Sequence, residues 1–180
     1  SEIMRLIRSG QRRALLVSAT GTGKTYASAF AVREMLSSNV LQKKKVLFLS
    51  HREMINSQAE ASYHIVMGGA FKTAQLSGNC QDLSMIKSAD MVFATMNMMA
   101  KDDFRSSNFA PDEFSVIILD ECHRSGSESY QKIIDYFTPQ FLLGMSASPD
   151  RTDGFDVYRL FDHNIACEIR LQTALENDLQ

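Results

Sequence analysis

The sequence predicts an α/β domain with a mainly parallel sheet flanked by helices. Two observations lead to this prediction. Short apolar runs that suit strands buried on both faces alternate along the chain with longer helical segments, and a polar cluster directly follows three of the runs. The chain has 180 residues, of which 44% are hydrophobic, so it can bury one sizeable core and we expect one compact domain.

The first predicted elements lie within residues 1–50. Apolar residues at helical spacing over residues 2–8 predict a helix that ends near Gly10. Residues 15–17 predict the first buried strand. A helix is expected to begin at Lys24, after a glycine loop, and residues 45–50 predict the second strand.

The rest of the chain continues the alternation of strands and helices. The remaining predicted elements are helices over residues 51–66 and 129–137 and strands over residues 71–76, 90–95, 114–120 and 141–145. In open parallel sheets, ligands bind outside the carboxyl ends of the strands. The polar clusters that follow the strands are therefore the candidate site.

Residues 18–25 read Ser-Ala-Thr-Gly-Thr-Gly-Lys-Thr, which is typical of a phosphate-binding loop. The glycines let backbone N–H groups approach a polyphosphate, and the following helix directs its positive end at the anion. In that geometry Lys24 reaches the β- and γ-phosphates and the Thr25 hydroxyl binds Mg²⁺. Ser18 occupies the position of the first glycine in the general pattern GxxxxGK[ST].

Two more polar clusters are expected at the same edge of the sheet. Asp120 and Glu121 follow a strand, so Asp120 can hold Mg²⁺ through its water shell while Glu121 orients and deprotonates the attacking water. Ser146 and Ser148 offer small hydroxyls that can bond to the loop after Asp120. These serines are candidates for reporting whether a γ-phosphate is present.

The three clusters, Ala-Thr-Gly-Thr-Gly-Lys-Thr, Asp-Glu-Cys-His and Ser-Ala-Ser, resemble in this order the first RecA-like motor domain of superfamily 2 helicases and translocases, in the DEAH/DECH group. Residues 48–53 resemble motif Ia of that family, and residues 94–97 stand where motif Ib is expected. Residues 148–156 are similar to the segment after motif III in the branch that includes type III restriction subunits and related bacterial DNA helicases. The resemblance covers nearly the whole chain.

The resemblance implies the ATP-binding motor domain of a DNA helicase or translocase, with ATP and Mg²⁺ as cofactors. It implies triphosphate binding by Thr20, Gly21, Thr22, Gly23, Lys24 and Thr25, metal binding by Thr25 and Asp120, and catalysis by Lys24 and by Glu121 as base. It implies coupling of ATP state to motion by His123, Ser146 and Ser148, and a strand-binding face of Ser50, His51, Arg52 and Thr95.

The resemblance also divides the chain. Residues 1–165 are expected to form the ATP-binding domain, and residues 166–180 to begin the connection to a second RecA-like domain of the same full-length chain. The family's Gln motif would precede Ser1. An arginine finger from the second domain can raise the rate by roughly 10³ to 10⁵. We therefore expect the 180-residue chain alone to hydrolyse ATP feebly.

Charge and cysteine content limit the partners and the compartment. The net charge is −2 and the pI is about 6.1, so any nucleic acid must be bound by local groups rather than by bulk charge. Three widely separated cysteines favour neither a disulfide framework nor a zinc site. No apolar run is long enough for a membrane span, and we expect a cytoplasmic protein. Residues 43–45, three lysines, are interpreted as a solvated approach to a strand.

Other functions remain open at this point. The phosphate-binding loop alone would also suit a kinase or a GTPase-like switch. Asp120 and Glu121 could be only a helix cap and its first-turn acid, and His51 and Arg52 could be a solvated helix start. The alternatives to a DNA motor are an RNA-dependent ATPase and a nucleotide-binding regulatory module without motor activity.

Overall fold

The computed structural model describes residues 2–18, 21–121, 128–147, 161 and 165–169. The strands in these residues are β1 (Arg13–Ser18), β2 (Val46–Ser50), β3 (Thr73–Leu76), β4 (Met91–Thr95), β5 (Val116–Leu119), β6 (Phe141–Ser146) and β7 (Ile165–Ile169). The helices are α1 (Glu2–Arg8), α2 (Gly21–Ser37), α3 (Glu53–Met67), α4 (Leu83–Ser88), α5 (Met96–Met99), α6 (Asp102–Asn108) and α7 (Glu128–Tyr136). None of these helices is long and apolar enough to cross a membrane.

The seven strands form one sheet in the order β3-β4-β2-β5-β6-β1-β7, and every pairing is parallel. This confirms the predicted parallel sheet flanked by helices. In the register, Leu49 of β2 stands opposite Leu119 of β5, and Val17 of β1 stands opposite Ser146 of β6. The carboxyl ends of β1, β2, β5 and β6 therefore lie along one edge, as the candidate site requires.

Alternation along the strands divides the core between the two faces of the sheet. In β2, Leu47 and Leu49 belong to one buried cluster, whereas Val46 and Phe48 belong to another. The first cluster packs against α5 and α7, and the second packs against α1, α2 and α3. A strand that is buried on both faces must be apolar throughout, which is why β2 reads as a continuous apolar run.

Helix α3 packs on the sheet through small and aromatic residues at helical spacing. Asn56, Ala59 and Tyr63 are its buried residues. The Tyr63 ring lies edge-on to Phe93 with ring centroids 5.6 Å apart, and Phe48 and Phe93 have centroids 5.4 Å apart. Each large side chain buried in this way contributes about 1.5–3 kcal/mol to folding.

The structure differs from the sequence prediction in several elements. Helix α2 begins at Gly21 rather than at Lys24, because the N–H groups of a first turn need no intrahelical acceptor and glycines can join that turn at little cost. Helices α4, α5 and α6 were not predicted, since none is longer than two turns and so short a segment shows little periodicity. Strand β7 was also missed, and it extends the sheet beyond β1.

Lys45 is not the solvated residue that the sequence suggested. Its side chain is only 13% exposed, and its Nζ donates to the carbonyl oxygens of Ile86 and Lys87 at distances of 3.0 and 3.1 Å. These carbonyls belong to the last turn of α4, where a cation interacts favourably with the helix dipole. Burial lowers the pKa of Lys45, although the nearby Glu113 carboxylate opposes that shift.

Candidate functional site

Lys24 and Asp120 meet at the carboxyl edge of the sheet. The Lys24 Nζ lies 3.8 Å from Asp120 Oδ1, and the two side chains are only 7% and 11% exposed. Lys24 stands in the first turn of α2, after β1, and Asp120 directly follows β5. Burying two charges costs desolvation energy, so a pair at the outer limit of ion-pair distance gives little net stability by itself. The pair is therefore a candidate for a role in binding rather than in stability.

The four described residues with predicted catalytic or metal roles line a single cavity of about 300 Å³. Lys24, Thr25, Asp120 and Glu121 form one side of it. Helix α3 contributes the other side through Ile55, Gln58, Ala59 and Ser62. The start of α2 lies next to this cavity, so the positive end of a 17-residue helix is available to an anion.

The chemistry of this cavity fits a polyphosphate with a hard divalent cation. An ammonium group suits the anion, whereas the Thr25 hydroxyl and the Asp120 carboxylate are the oxygen ligands that Mg²⁺ accepts. Within the described residues no group of three or more His, Cys, Asp or Glu side chains could hold a metal ion by itself. A cation here would therefore complete its coordination with water and with oxygens of a bound ligand, as Mg²⁺ usually does.

Glu121 has an unusual backbone conformation at the end of this cavity. Its φ is +53°, in the left-handed region that non-glycine residues rarely adopt. The Tyr130 hydroxyl, on α7, donates a hydrogen bond of 2.6 Å to the carbonyl oxygen of Asp120. Sequence reasoning missed Tyr130. The available signal was a tyrosine on the apolar face of a helix, since a buried phenol needs a hydrogen-bond acceptor.

Two residues of the predicted strand-binding face line a second cavity, of about 270 Å³. His51 and Thr95 lie together there because β2 and β4 are neighbours and Ser50 pairs in register with Thr95. Their neighbours in the cavity are Glu53, Gly78, Asn97, Met98 and Lys101. Glu53 and Asn97 belong to the segments that resemble motifs Ia and Ib, but none of the five was predicted as a site residue. Asn97 and Lys101 add donors that suit a phosphate backbone.

Ser50 and Arg52 are placed differently from His51 and Thr95. The Ser50 side chain is buried, and its Oγ lies 2.7 Å from Asn56 Oδ1 and 3.0 Å from the Arg52 carbonyl oxygen. This hydroxyl holds the start of α3. Arg52 is exposed at the N-terminus of α3 and is not among the residues that line the cavity.

The structure also places Ser146, Gly21, Thr22 and Gly23. Ser146 is the buried last residue of β6, and the other three form the first turn of α2. Three predicted site residues, Thr20, His123 and Ser148, lie outside the described residues.

Comparison with protein families gives a match over most of the chain. The model of the family described as "Type III restriction enzyme, res subunit" matches residues 1–151. The chain belongs to this family. The match includes Lys24, Thr25, Asp120, Glu121 and Ser146, so the whole described cavity lies within the res-subunit family domain.

Individual relatives agree with the res-subunit family assignment. The chain is 34% identical over 150 residues to the type I restriction enzyme EcoAI endonuclease subunit of Escherichia coli, and this alignment covers 81% of the chain. It is 25% identical over 171 residues to the ATP-dependent RNA helicase DHX58 of Mus musculus, covering 86% of the chain. The chain spans only 18% and 25% of the lengths of these two proteins.

A solved helicase domain has the same fold. This chain superimposes on the Hef helicase domain of Pyrococcus furiosus with a TM-score of 0.70, and the two sequences are 19% identical. The superposition covers 93% of this chain and 37% of the Hef chain. The parallel sheet flanked by helices is therefore the fold of a solved helicase domain.

Proposed function

We propose that this domain is the ATP-binding motor domain of a DNA helicase or translocase, which couples ATP hydrolysis to movement along a strand. The observation that carries the proposal is the cavity in which Lys24, Thr25, Asp120 and Glu121 meet. Membership of the res-subunit family and the helicase-domain fold support it. The resemblance of the motifs to the DEAH/DECH group supports the finer assignment to that branch.

In this proposal each residue of the cavity has one task. Lys24 binds the β- and γ-phosphates of ATP, and Thr25 and Asp120 hold Mg²⁺. When bound, Mg²⁺ neutralises charge on the phosphates. Glu121 orients the attacking water and accepts its proton while the bond between the γ-phosphorus and the bridging oxygen breaks.

The remaining roles extend the same proposal. The loop residues Thr20, Gly21, Thr22 and Gly23 bind the triphosphate through backbone N–H groups, as phosphate-binding loops do. We assign the coupling of ATP state to motion to His123, Ser146 and Ser148. Residues 166–180, of which residues 166–169 still belong to strand β7, lead in this proposal to a second RecA-like domain of the full-length chain. We also propose a cytoplasmic location.

The strand-binding face of the proposed motor centres on His51 and Thr95. These residues share a cavity with Asn97 and Lys101, so polar donors converge at the carboxyl edge next to the ATP cavity. A net charge of −2 gives no general attraction to nucleic acid, and local donors of this kind are what strand binding would need. Arg52 lies exposed beside this face, whereas the buried Ser50 contributes by holding α3 in place.

DNA is the favoured nucleic acid. The chain is 34% identical to a restriction endonuclease subunit but 25% identical to an RNA helicase, and its family is that of a restriction enzyme subunit. The identity to the RNA helicase is the observation that keeps an RNA-dependent ATPase as the second candidate.

The proposal is tested by ATP hydrolysis on the full-length protein. Steady-state rates are measured without nucleic acid and with single-stranded DNA, duplex DNA or single-stranded RNA of matched length. We expect either form of DNA to raise kcat. Stimulation by RNA alone would assign the domain to the second candidate, and hydrolysis or binding of ATP without any stimulation would indicate a regulatory module.

A further inference from the structure

Tyr130 lies between the two cavities of the carboxyl edge. Its hydroxyl donates to the Asp120 carbonyl oxygen, and Asp120 lines the first cavity. Its ring lies edge-on to the imidazole of His51, with ring centroids 5.3 Å apart at 76°, and His51 lines the second cavity. Tyr130 lies on α7 and is fully buried, so both contacts are made in the interior of the domain.

We propose that Tyr130 is a positioning residue that holds the Asp120–Glu121 peptide for hydrolysis and couples it to His51. This inference rests on the proposed function, because it assigns a role in that reaction to a residue outside the predicted motifs. Tyr130 is not among the residues that line either cavity, so it acts through Asp120 and His51.

The bond to Asp120 acts on the conformation of Glu121. The Asp120 carbonyl belongs to the peptide unit that ends at the Glu121 nitrogen, so fixing this carbonyl fixes the plane from which the φ of Glu121 is measured. That φ is +53°, a value that costs energy in a non-glycine residue and persists only where neighbours hold it. Without the hydroxyl, this peptide can rotate and the Glu121 carboxylate leaves the position from which it serves as base.

The contact with His51 supplies the second part of the role. Packed interiors transmit displacement because they are dense and hardly compressible. When a nucleic-acid strand binds at His51, the imidazole shifts and displaces the Tyr130 ring that packs edge-on against it. The Tyr130 hydroxyl then passes this displacement to Asp120. A separate backbone bond also joins the two regions, because the Asp120 N–H donates to the carbonyl oxygen of Leu49, two residues before His51, at 2.9 Å.

The test compares two tyrosines of the same helix. Tyr130→Phe removes the hydroxyl and keeps the ring against His51. Tyr136→Phe is the matched control, since the Tyr136 hydroxyl also donates to a backbone carbonyl, that of Phe109, on a part of α7 away from both cavities. Both variants are made in the full-length protein, and kcat, KM for ATP and the unfolding midpoint are measured.

We expect Tyr130→Phe to lower kcat by roughly ten-fold or more, with KM for ATP changed by less than about two-fold. Tyr136→Phe should lose a similar amount of stability and keep the wild-type kcat, because it breaks an equivalent hydrogen bond elsewhere. A Tyr130→Phe variant with the kcat of Tyr136→Phe would overturn the positioning role.

Hydrogen exchange gives a readout that does not depend on activity. The backbone amide of Glu121 should exchange faster in Tyr130→Phe than in wild type. In Tyr136→Phe its exchange rate should equal that of wild type. If the wild-type protein showed no ATP hydrolysis, the proposed function would fail. The exchange rate of the Glu121 amide would still show whether the Tyr130 hydroxyl holds the Asp120–Glu121 peptide in place. Equal exchange in wild type and Tyr130→Phe would count against the inference in either case.

The coupling to His51 is tested by a double-mutant cycle. The ratio of DNA-stimulated to basal kcat is measured for His51→Ala, for Tyr130→Phe and for the double variant. If the signal passes through the Tyr130 hydroxyl, His51→Ala should lower the ratio in wild type and have little further effect in Tyr130→Phe. The two single substitutions each change the ratio by some factor. If the double variant changed it by the product of these factors, within about two-fold, the two residues would act independently and the coupling would be overturned.

Discussion

Ser28 and Tyr63 are joined by a hydrogen bond of 2.8 Å between their hydroxyl groups in the interior of the domain, across 35 residues of sequence. The Ser28 Oγ also donates to the carbonyl oxygen of Thr25 at 2.7 Å, so the donor in the pair is the Tyr63 hydroxyl. Both side chains are fully buried. The pair connects α2 to α3, and these two helices contribute residues to opposite sides of the candidate ATP cavity.

Tyr63→Phe should therefore destabilise the domain by about 0.5–1.5 kcal/mol, the usual net contribution of one hydrogen bond. Urea unfolding at neutral pH measures this difference. Tyr26→Phe, on the less buried part of α2, is the matched control and should change stability by less. A stability equal to wild type would mean that the buried hydroxyl pair contributes nothing net.

Tyr63 also predicts a pH dependence. Burial raises the pKa of its hydroxyl above the ordinary 10.0, and the bond to Ser28 only partly opposes this. The unfolded chain then loses its proton at a lower pH than the folded chain, so stability falls as pH rises through 10.0, by at most about 1.4 kcal/mol per pH unit. Between roughly pH 9.5 and 11, the range around the ordinary pKa of a tyrosine, Tyr63→Phe should lose less stability than wild type. Urea unfolding at each pH measures the free energy of unfolding of both proteins. Parallel curves would contradict the assignment.

Gly144 of β6 leaves room for the ring of Phe161. A Cβ added at Gly144 would lie 2.3 Å from Phe161 Cζ, closer than packed atoms can approach, and Phe161 is fully buried and cannot swing into solvent. Gly144→Ala should cost about 1–3 kcal/mol, the range for overpacking a core. Gly69→Ala is the control, because nothing lies within 4 Å of its added Cβ.

Rescue distinguishes this clash from a general effect of alanine in a strand. Phe161→Leu shortens the ring side chain, so Gly144→Ala should cost less in the Phe161→Leu background than in wild type, as measured by urea unfolding. Equal costs in the two backgrounds would show that the ring of Phe161 is not the cause.

The strands of this domain could be predicted from the sequence because the sheet is covered on both faces. In β2 and β5 every residue is buried, which leaves apolar runs with few alternatives. The same strands explain why the candidate site was found. A parallel sheet carries the residues after β1 and β5 to one edge, and the structure brings Lys24 within 3.8 Å of Asp120 there.

Other features depend on contacts that sequence patterns do not encode. The acceptor of the Tyr130 hydroxyl is the backbone carbonyl of Asp120, directly after β5, and any residue type could supply such an acceptor. The Ser50 hydroxyl is bonded to Asn56, a residue that also looks like an ordinary helix position. Lys45 resembles its neighbours in a basic run, and only the position of α4 separates it from them. Each of these required the tertiary arrangement.

Lys24→Ala should strongly weaken triphosphate binding by the full-length protein. The variant deletes the cation that faces the phosphates in our proposal, and it removes the ammonium group that lies 3.8 Å from the buried Asp120 carboxylate. We expect affinity for ATP to fall by at least about ten-fold, the equivalent of one hydrogen bond to a charged group. Titration with a fluorescent ATP analogue measures it.

Lys132→Ala is the control for this variant. Lys132 lies on α7, is 42% exposed and forms surface ion pairs with Asp102 and Glu128, so its removal should leave ATP affinity unchanged. Wild-type affinity for ATP in Lys24→Ala would show that Lys24 does not belong to the binding site.

Because the buried Asp120 carboxylate repels a nearby polyphosphate, the double variant Lys24→Ala/Asp120→Asn should bind ATP more tightly than Lys24→Ala alone in the absence of Mg²⁺.

Glu121→Gln should separate binding from hydrolysis. The amide has nearly the size and shape of the carboxylate but cannot accept a proton, so the variant should bind ATP with wild-type affinity and lose kcat by about 10²- to 10⁴-fold, the usual contribution of a general base. Asp135→Asn, an equivalent change at an exposed position of α7, should leave kcat unchanged. Single-turnover hydrolysis and ATP titration on the full-length protein measure both quantities. Normal turnover by Glu121→Gln would mean that another group deprotonates the water, and weakened binding with unaltered single-turnover rate would place Glu121 in substrate binding instead.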